Sequence, residues 1–487
     1  MKLKDFKSSI DFNGHKYANF NGRLLLLGFG CVGQTMLPMF LRHIQCDPSK
    51  ITVLERDNNL ELFHKKYGDT GVKYVIKEVL EDNLDQVLSQ YVSNGDMIIN
   101  LSLNIDGIEI VTWCLEHGVL YTDTSIERWP DQPDEVIPRL EDRTLYVTHQ
   151  KIREVTAKYK DRAATSLVTN GANPGLVSQF TKAALMDIAE AMNLHYPEPS
   201  SREEWAALMM ATGTKVVHIA ERDTQVLDIP KVKGEFVNTW SCEGFWAEGR
   251  APAEMGWGTH ENIAPEGGFI HREGPQNAAY LAQPGVATLV KSWVPFGGPF
   301  NGFVIQHSEA ITISEYFTVY ENGNPIFRPT VHYAYCPSDA AIASAHEFRG
   351  KELRIQDRKR IAKTEIVAGI DELGVLLLGH GMNGWWYGSQ LGIKEATELM
   401  PGEGPTSIQV AANLLAGIVW MLKNPNKGYV EPDILPWREI LEIAKPYLGP
   451  VASVPTSWTP LQDRTTLFQL DIDPKNPWRF ENFRVIS

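Results

Sequence analysis

Tryptophans and glutamates crowd together between Glu235 and Glu261. Trp240, Trp246 and Trp257 stand there among Glu235, Glu243, Glu248, Glu254 and Glu261, with Arg250 the sole cation and His260 the one further titratable group. Indole faces and carboxylates share one class of ligand, the organic cation. A cation over an indole gains about 0.5–2 kcal/mol, more as water is excluded, and a carboxylate adds charge-assisted hydrogen bonds to an ammonium. Taken alone, such a stretch is more often a loop whose tryptophans anchor packing and whose glutamates are solvated. Other acids extend the pattern. Glu221 follows a strand-like apolar run at 215–220. His307 and Glu309 fall at alternate positions of an expected strand, 303–313, which would point both to one face. Such a pair could anchor an amine and shuttle its proton, although most pairs of this kind are structural.

A second constellation supplies a redox partner for that chemistry. Residues 23–34 read RLLLLGFGCVGQ: an apolar strand, a turn on Gly28, Gly30 and Gly33, then a helix-like run. The first glycine permits the tight turn, the second lets backbone amides approach a pyrophosphate, and the third lets helix and strand pack closely. Phe29, Cys31 and Val32 complete the turn. A second strand, 51–55, ends in Glu55, 22 residues beyond Gly33, where an acid holds the diol of an adenosine ribose. A carboxylate there repels a 2′-phosphate, so NAD is expected rather than NADP. Ligands in such sheets lie outside the carboxyl ends of the strands, which adds Asn100, Asp123 and Thr124 to the expected cofactor site.

NAD beside a pocket for cations points to oxidation of an amine. Hydride leaves the carbon bearing nitrogen, and the nitrogen lone pair must be free to form an imine. An aliphatic ammonium has a pKa near ~10. Neighbouring carboxylates raise it further, while desolvation lowers it. A workable site therefore separates two tasks: acids and an indole hold the distal ammonium, and a base serves the reacting nitrogen.

These residues need a scaffold of at least two units. From 24 to 147 short apolar runs (LLLLG, ITVLE, DMIINLS, GVLYTD, TLYVTH) alternate with helical stretches such as 82–92 and Gly107–His117. That alternation predicts an α/β, Rossmann-type doubly wound parallel sheet within residues 1–160. A second α+β unit, 165–400, opens with the turn NGANPG at 170–175 and a helix over 176–191. It continues with expected strands at 302–319 and 330–335, forming a mostly antiparallel sheet. Residues 401–487 begin with a helix, continue into coil rich in proline and tryptophan, and are expected to pack on both units. GHGMNG at 379–384 mimics a nucleotide turn, but WWYG stands where a helix should start, so it reads as a turn between strands.

Composition narrows the class further. The chain has 487 residues, 43% hydrophobic and 22% charged, with a formal net charge of −14. Runs of Lys and Arg are too short for nucleic acid to be a partner. The N-terminus lacks an apolar stretch resembling a signal peptide. The apolar run 408–422 is shorter than the ~20 residues that cross a bilayer, and reads as a buried helix rather than a membrane anchor. Five scattered cysteines without a CxxC pair argue against disulfides and a zinc knuckle; no metal is expected, and a reducing cytoplasm suits the chain.

The stretches GFGCVGQ, GVLYTDTSIERWP, NGANPGLVSQF, NTWSCEGFWAEG, VIQHSEAITI and GHGMNGWWYGSQL resemble those of bacterial homospermidine synthases, in the saccharopine dehydrogenase-like superfamily. The resemblance extends over nearly the whole chain. It implies an aminoalkyl transferase that works redox-neutrally with NAD. Putrescine is oxidised to an imine, ammonia leaves, a second putrescine forms a Schiff base, and the stored hydride reduces it to homospermidine. Spermidine or diaminopropane are implied as further amine partners, and a homodimer as the assembly. By the same resemblance Trp240 would stabilise cationic intermediates and Glu248 would anchor an ammonium. Glu221, His307 and Glu309 would line the inner pocket, Asn173 would orient the reacting nitrogen, and Glu127 would sit near the nicotinamide. The base is placed in the neighbourhood of His307 and Glu309. The alternative is a dehydrogenase of the saccharopine or carboxyspermidine type acting on a carboxylated amine. Such sites favour arginine, and would be supported if Arg128 or Arg250 faced the pocket.

Overall fold

Strands Lys73–Ile76, Ile51–Glu55, Leu24–Leu27, Met97–Asn100, Leu120–Asp123, Ser166–Leu167 and Tyr429–Val430 lie side by side in that order, every pair parallel. This computed structural model describes residues 14–130, 139–159, 163–464 and 472–485. The extreme N-terminus, on which the signal-peptide expectation rests, therefore lies partly outside the described residues. The central strands are buried along their whole length, as apolar runs covered by helices on both faces should be. Helix Gly107–His117 has its expected bounds, set by Asp106 accepting from the amides of Ile108 and Glu109 and by Gly118 in the left-handed conformation. The helix expected at 82–92 is a 3-10 turn, Glu81–Asn83, running into Leu84–Tyr91.

One expected strand of this unit is a helix. The run TLYVTH opens Leu145–Thr156, with Thr144 as its N-cap. Glu254, from the second unit, accepts from the amides of Leu145 and Tyr146 at 2.8 Å each, satisfying donors that a helix start leaves open. A contact distant in sequence thus overrides a local strand pattern.

The second sheet has ten strands. Gly268–Ile270, Ala278–Pro284, Pro252–Gly256, Thr330–Cys336, Val216–Asp223, Ile370–Leu378, Gly384–Gly392 and Val451–Thr456 form its main path, and Leu289–Val294 and Gly298–Phe303 branch from Thr330–Cys336. Only Thr330–Cys336 and Val216–Asp223 run parallel; the other neighbours are antiparallel, as expected. Residues 379–384 make the turn between two of these strands. The strand expected at 302–319 stops at Phe303, and Ser308–Tyr316 is a helix. Its residues 308–314 are all buried. A helix buried on all sides, with polar and apolar residues alike turned inward, loses the one-sided periodicity that distinguishes it, so its β-branched run Ile311, Thr312, Ile313 reads as a strand.

Helix Pro405–Lys423 is the one described helix long and apolar enough to cross a membrane, and it is a buried core element. It packs against Cys31–His43 of the first unit, Gly384–Gly392 of the second and Trp437–Ala444. After it the chain gives one strand to each sheet, Tyr429–Val430 and Val451–Thr456, where coil was expected. The return to the parallel sheet is fastened by Glu431, which receives two bonds from the Arg153 guanidinium at 2.8–2.9 Å and lies 3.2 Å from His149.

Burial alone would raise the Glu431 pKa, yet Arg153 and His149 hold it well below the usual carboxylate range. Glu431→Ala leaves the Arg153 guanidinium with Glu315 alone and should destabilise the protein by about 1–3 kcal/mol, read as a lower melting temperature. Because the native pKa is depressed, this contribution is present above the unfolded value of about 4.3 and disappears as pH falls. The gap between variant and parent should therefore narrow in acid; equal melting at neutral pH would remove the fastening role.

Candidate active site

The glycine turn has the space its spacing predicts. Gly28 sits at φ +87°, and a Cβ there would lie 2.6 Å from the Leu101 carbonyl oxygen. A Cβ on Gly33 would lie 2.4 Å from the Gly28 carbonyl oxygen, so helix and strand touch there. At exposed Gly30 a Cβ would meet nothing within 4 Å. The protein's own packing does not require glycine at that point; a close-approaching ligand would. Helix Cys31–His43 starts at Gly30 with no side-chain cap and no acid in its first turn, leaving amide donors and the positive end of the helix dipole for an anion. Cys31 turns its thiol inward, whereas Val32 is partly exposed.

Glu55 closes the far side. Its carboxylate accepts from the Phe29 amide at 2.6 Å and from Arg56 and Asp57 at 2.8 and 3.1 Å, which ties the end of its strand to the turn. Asn100 and Asp123 are buried at the ends of the next strands. Asn100 bonds Ser102 and the Tyr121 hydroxyl. Asp123 accepts from Tyr121 and from the Thr169 amide, and burial pushes its pKa up to about 7. Thr124 is half-buried beside Gly171. These residues fit a dinucleotide: an open glycine cradle, an uncapped helix start and a carboxylate at the ribose position.

The turn 170–175 carries the structure from this edge to the acids. The Asn170 amide donates to the Asp123 carbonyl, and Asn413 of the buried helix donates to Asn170 Oδ1 and the Gly171 carbonyl at 2.9 and 2.7 Å. Gly175, at φ +123°, has no room for a Cβ, which would lie 2.3 Å from the Gly171 oxygen. Asn173, held at the tip, donates to Glu221 Oε2 at 2.7 Å. The same oxygen accepts from the Tyr333 hydroxyl. Burial raises the Glu221 pKa to about 7 against these two bonds.

Tyr333 packs on the imidazole of His307, with ring centroids 4.2 Å apart. His307 lies between two acids, Nε2 3.1 Å from Glu248 Oε2 and Nδ1 3.2 Å from Glu309 Oε1. Burial opposes the imidazolium, but Glu309 and Glu248 outweigh it and lift its pKa to about 10. His307 and Glu309 do meet, though not as alternating strand residues. His307 is the extended N-cap of Ser308–Tyr316 and Glu309 lies in its first turn, where the helix dipole favours a carboxylate. Glu309 Oε2 is buried without a hydrogen-bond partner, an acceptor aimed at no protein donor.

Trp240 stands just before one short helix, Cys242–Arg250, and Glu248 lies in its last turn; the helix is started by Ser241 accepting from the Gly244 amide. Both are partly exposed, and the Trp240 indole N–H donates to the Tyr335 hydroxyl at 2.9 Å. Glu127 accepts from the Ser125 hydroxyl at 2.8 Å; burial chiefly, and the charge of Glu248, raise its pKa. Among the described residues His307 is the one cationic side chain paired with Glu248 and Glu309, and no lysine or arginine pairs with Glu127 or Glu221.

The rest of the crowded stretch serves the fold. Glu254 and Glu261 cap backbone amides at Leu145 and Phe480. Glu235 and Glu243 pair with Arg360 and Lys359. Trp257 is core, and Trp246 stacks under the Arg250 guanidinium at 4.1 Å. Arg128 bonds Thr148 and the Asp142 carbonyl. Among the described residues, neither arginine is hydrogen-bonded or ion-paired to Glu127, Glu221, Glu248 or Glu309. Residues that the sequence did not single out are Tyr333, Tyr335, Asp223, Asp371 and Asn413. The two tyrosines alternate on an expected strand, and Asp223 shares a face with Glu221, so period two was the available signal. Asp371 faces Asp223 only through antiparallel register, and Asn413 lies inside a helix that reads as plain core.

Comparison with known proteins agrees with this architecture. The family model for the saccharopine dehydrogenase NADP binding domain matches residues 24–167, and that for the saccharopine dehydrogenase C-terminal domain matches 171–455. A homospermidine synthase from Blastochloris viridis is 42% identical over 473 residues, 96% of this chain and 98% of its own length. One from Mesorhizobium japonicum is 42% identical over 480 residues, covering 96% and 97%. The crystal structure of the Legionella pneumophila homospermidine synthase in complex with NAD superposes with a TM-score of 0.88 at 38% identity, covering 96% of this chain and 98% of that one. With this identity, coverage and common architecture, the chain belongs to the homospermidine synthase family of saccharopine dehydrogenase-like proteins.

Proposed function

We propose that this chain is an NAD-dependent homospermidine synthase, joining two putrescines into homospermidine with release of ammonia. What carries the reading is a buried set of carboxylates, with a histidine as the sole cation paired to it among the described residues, lying beyond the carboxyl ends of the parallel strands. Its family membership supports the same conclusion. The NAD in the Legionella relative and the carboxylate of Glu55 at the ribose position favour NAD, although the matching family model is described as NADP binding. Gly28 to Gly33 and the amides of Phe29, Cys31 and Val32 would cradle the pyrophosphate, with Asn100, Asp123 and Thr124 bordering the nicotinamide half. Bound there, NAD takes hydride from the carbon bearing nitrogen and returns it at the end, so substrate and product balance without net oxidation.

The protein's own groups divide the work. Trp240 offers a π face and Glu248 a carboxylate to the distal ammonium. Asn173 and Glu221, fixed by Tyr333, orient the reacting nitrogen, and Glu127 lies toward the nicotinamide. An arriving ammonium competes with His307 for Glu248 and Glu309. Its charge disfavours the imidazolium, and the neutral ring nitrogen then serves as base for the reacting amine. Glu309 Oε2 is a ready acceptor for an amine N–H. Spermidine and diaminopropane fit the same acids. We also infer a cytoplasmic homodimer: all five cysteines are free, and Val226, Ile229, Val232 and Val367 are exposed apolar side chains on or near the paired strands Val226–Leu227 and Ile366–Ala368, available to a second copy.

Purified protein given putrescine and sub-stoichiometric NAD⁺ should yield homospermidine and ammonia in many-fold excess over cofactor. NADH accumulating in step with substrate, without a polyamine product, would instead mark an ordinary dehydrogenase.

Gly30→Ala should fold normally yet bind NAD at least tenfold more weakly, since a methyl group enters the space left for phosphate. Gly33→Ala should lower the melting temperature instead, because its Cβ meets backbone. Equal NAD affinity in Gly30→Ala and the parent would refute the cradle.

Diamine binding should release protons near pH 8. An added positive charge lowers the proton affinity of His307, held near 10 in the free protein, and of Glu221, near 7. Calorimetry in buffers of different ionisation enthalpy, with NADH bound so that no hydride can leave the amine, measures the number; proton uptake would contradict the scheme.

A further inference from the structure

Strand Thr330–Cys336 presents two tyrosines on one face, stacked with centroids 5.1 Å apart and planes 13° from parallel. Tyr333 bonds Glu221, and Tyr335 bonds Trp240. Tyr335 is fully buried, and Phe245 packs edge-on against it at 5.6 Å and beside the Trp240 indole at 6.2 Å. The opposite constraint comes from Gly244, where a Cβ would lie 2.8 Å from Trp240 Cζ3. The indole is therefore held at its nitrogen and along its benzo edge, while the side chain as a whole remains partly exposed.

The direction of the bond at the nitrogen is unambiguous. An indole N–H only donates, so the phenol oxygen accepts and its own hydrogen must point elsewhere. Glu221, Asp223 and Asp371 all act on that phenol, and with burial they keep it protonated far above its usual range. The phenol oxygen therefore commits a lone pair to the indole N–H. Hydrogen bonds in series polarise one another. Here the phenol oxygen pulls the indole proton, and electron density rises on the indole ring. A richer ring attracts a cation more strongly.

We propose that Tyr335 is a positioning residue for the reaction: its hydroxyl fixes the plane of the Trp240 indole and strengthens the π face offered to the substrate cation. This rests on Trp240 meeting that cation. Glycine at 244 and phenylalanine at 245 belong to the same device, one making room for the ring and the other supporting it. Tyr335 itself touches no substrate.

A double-mutant cycle separates this role from a purely structural one. Tyr335→Phe in the full chain with NAD bound should reduce kcat/KM for putrescine roughly tenfold, the size expected for one lost buried hydrogen bond, with NAD affinity unchanged. Trp240→Phe should also lose activity while retaining a weaker π face. In the Trp240→Phe background there is no indole N–H to hold, so adding Tyr335→Phe should change kcat/KM by less than about twofold. Independent, multiplicative losses would overturn the positioning role while leaving Trp240 as the cation's partner. Parent-like activity of Trp240→Phe would overturn both. Should Tyr335→Phe fail to fold, the unaltered protein still decides the matter. The Trp240 indole N–H resonance, identified by its loss in Trp240→Phe, should exchange slowly with deuterium; exchange within the dead time would show that nothing holds it.

Discussion

A carboxylate removed from water must receive hydrogen bonds or an opposite charge, or else take up a proton. This chain places Glu127, Glu221, Glu248 and Glu309 in one region and pairs two of them with His307, the rest with hydroxyls and an amide. Asp223 and Asp371, opposite one another on neighbouring strands, lie behind them; Asp223 accepts from Thr239 and Gln225, and Asp371 from Thr406 at one oxygen while the other is buried without a partner. The arrangement is stable enough to fold but short of positive charge. Under the proposed function a diamine would supply the missing charge, whereas a carboxylated substrate would add to the surplus.

The scaffold is arranged around this demand. The parallel sheet ends where a dinucleotide would lie, with Glu127 just beyond one of its strands; the mixed sheet carries Glu221, and the helices Cys242–Arg250 and Ser308–Tyr316 carry Glu248 and Glu309. Between them runs the turn 170–175, fastened at one end to Asp123, at its centre to Asn413 and at its tip to Glu221. Helix Pro405–Lys423 packs on elements of both units, and the chain beyond it completes both sheets. The distance between the glycine turn and the acids is therefore set by packed elements rather than by a flexible linker. Hydride transfer tolerates little misplacement of the reacting atoms.

Parts of this were legible because their information is local. Helix Leu176–Ala191 starts directly from the turn before it, and the bulky run Trp385, Trp386, Tyr387 marks 379–384 as a turn into a strand. Other parts were misleading for a physical reason. His307 and Glu309 were correctly associated on the wrong element, because a helix buried on all sides loses the periodicity that marks it. Of five glutamates between residues 235 and 261, only Glu248 pairs with His307. Glu254 looks no different in sequence, yet its partners are amides more than a hundred positions away.

What the sequence determined by itself was the dinucleotide turn, the alternation that builds a parallel sheet and the family, since each is written in contiguous residues whose spacing is dictated by backbone geometry. What only the tertiary structure decided was that Glu248 and Glu309 share His307, that Asn173 and Tyr333 meet at Glu221, and that Tyr335 receives the Trp240 indole N–H. Those outcomes depend on strand register and on burial, and both are properties of segments far apart in the chain that acquire meaning only when they pack together.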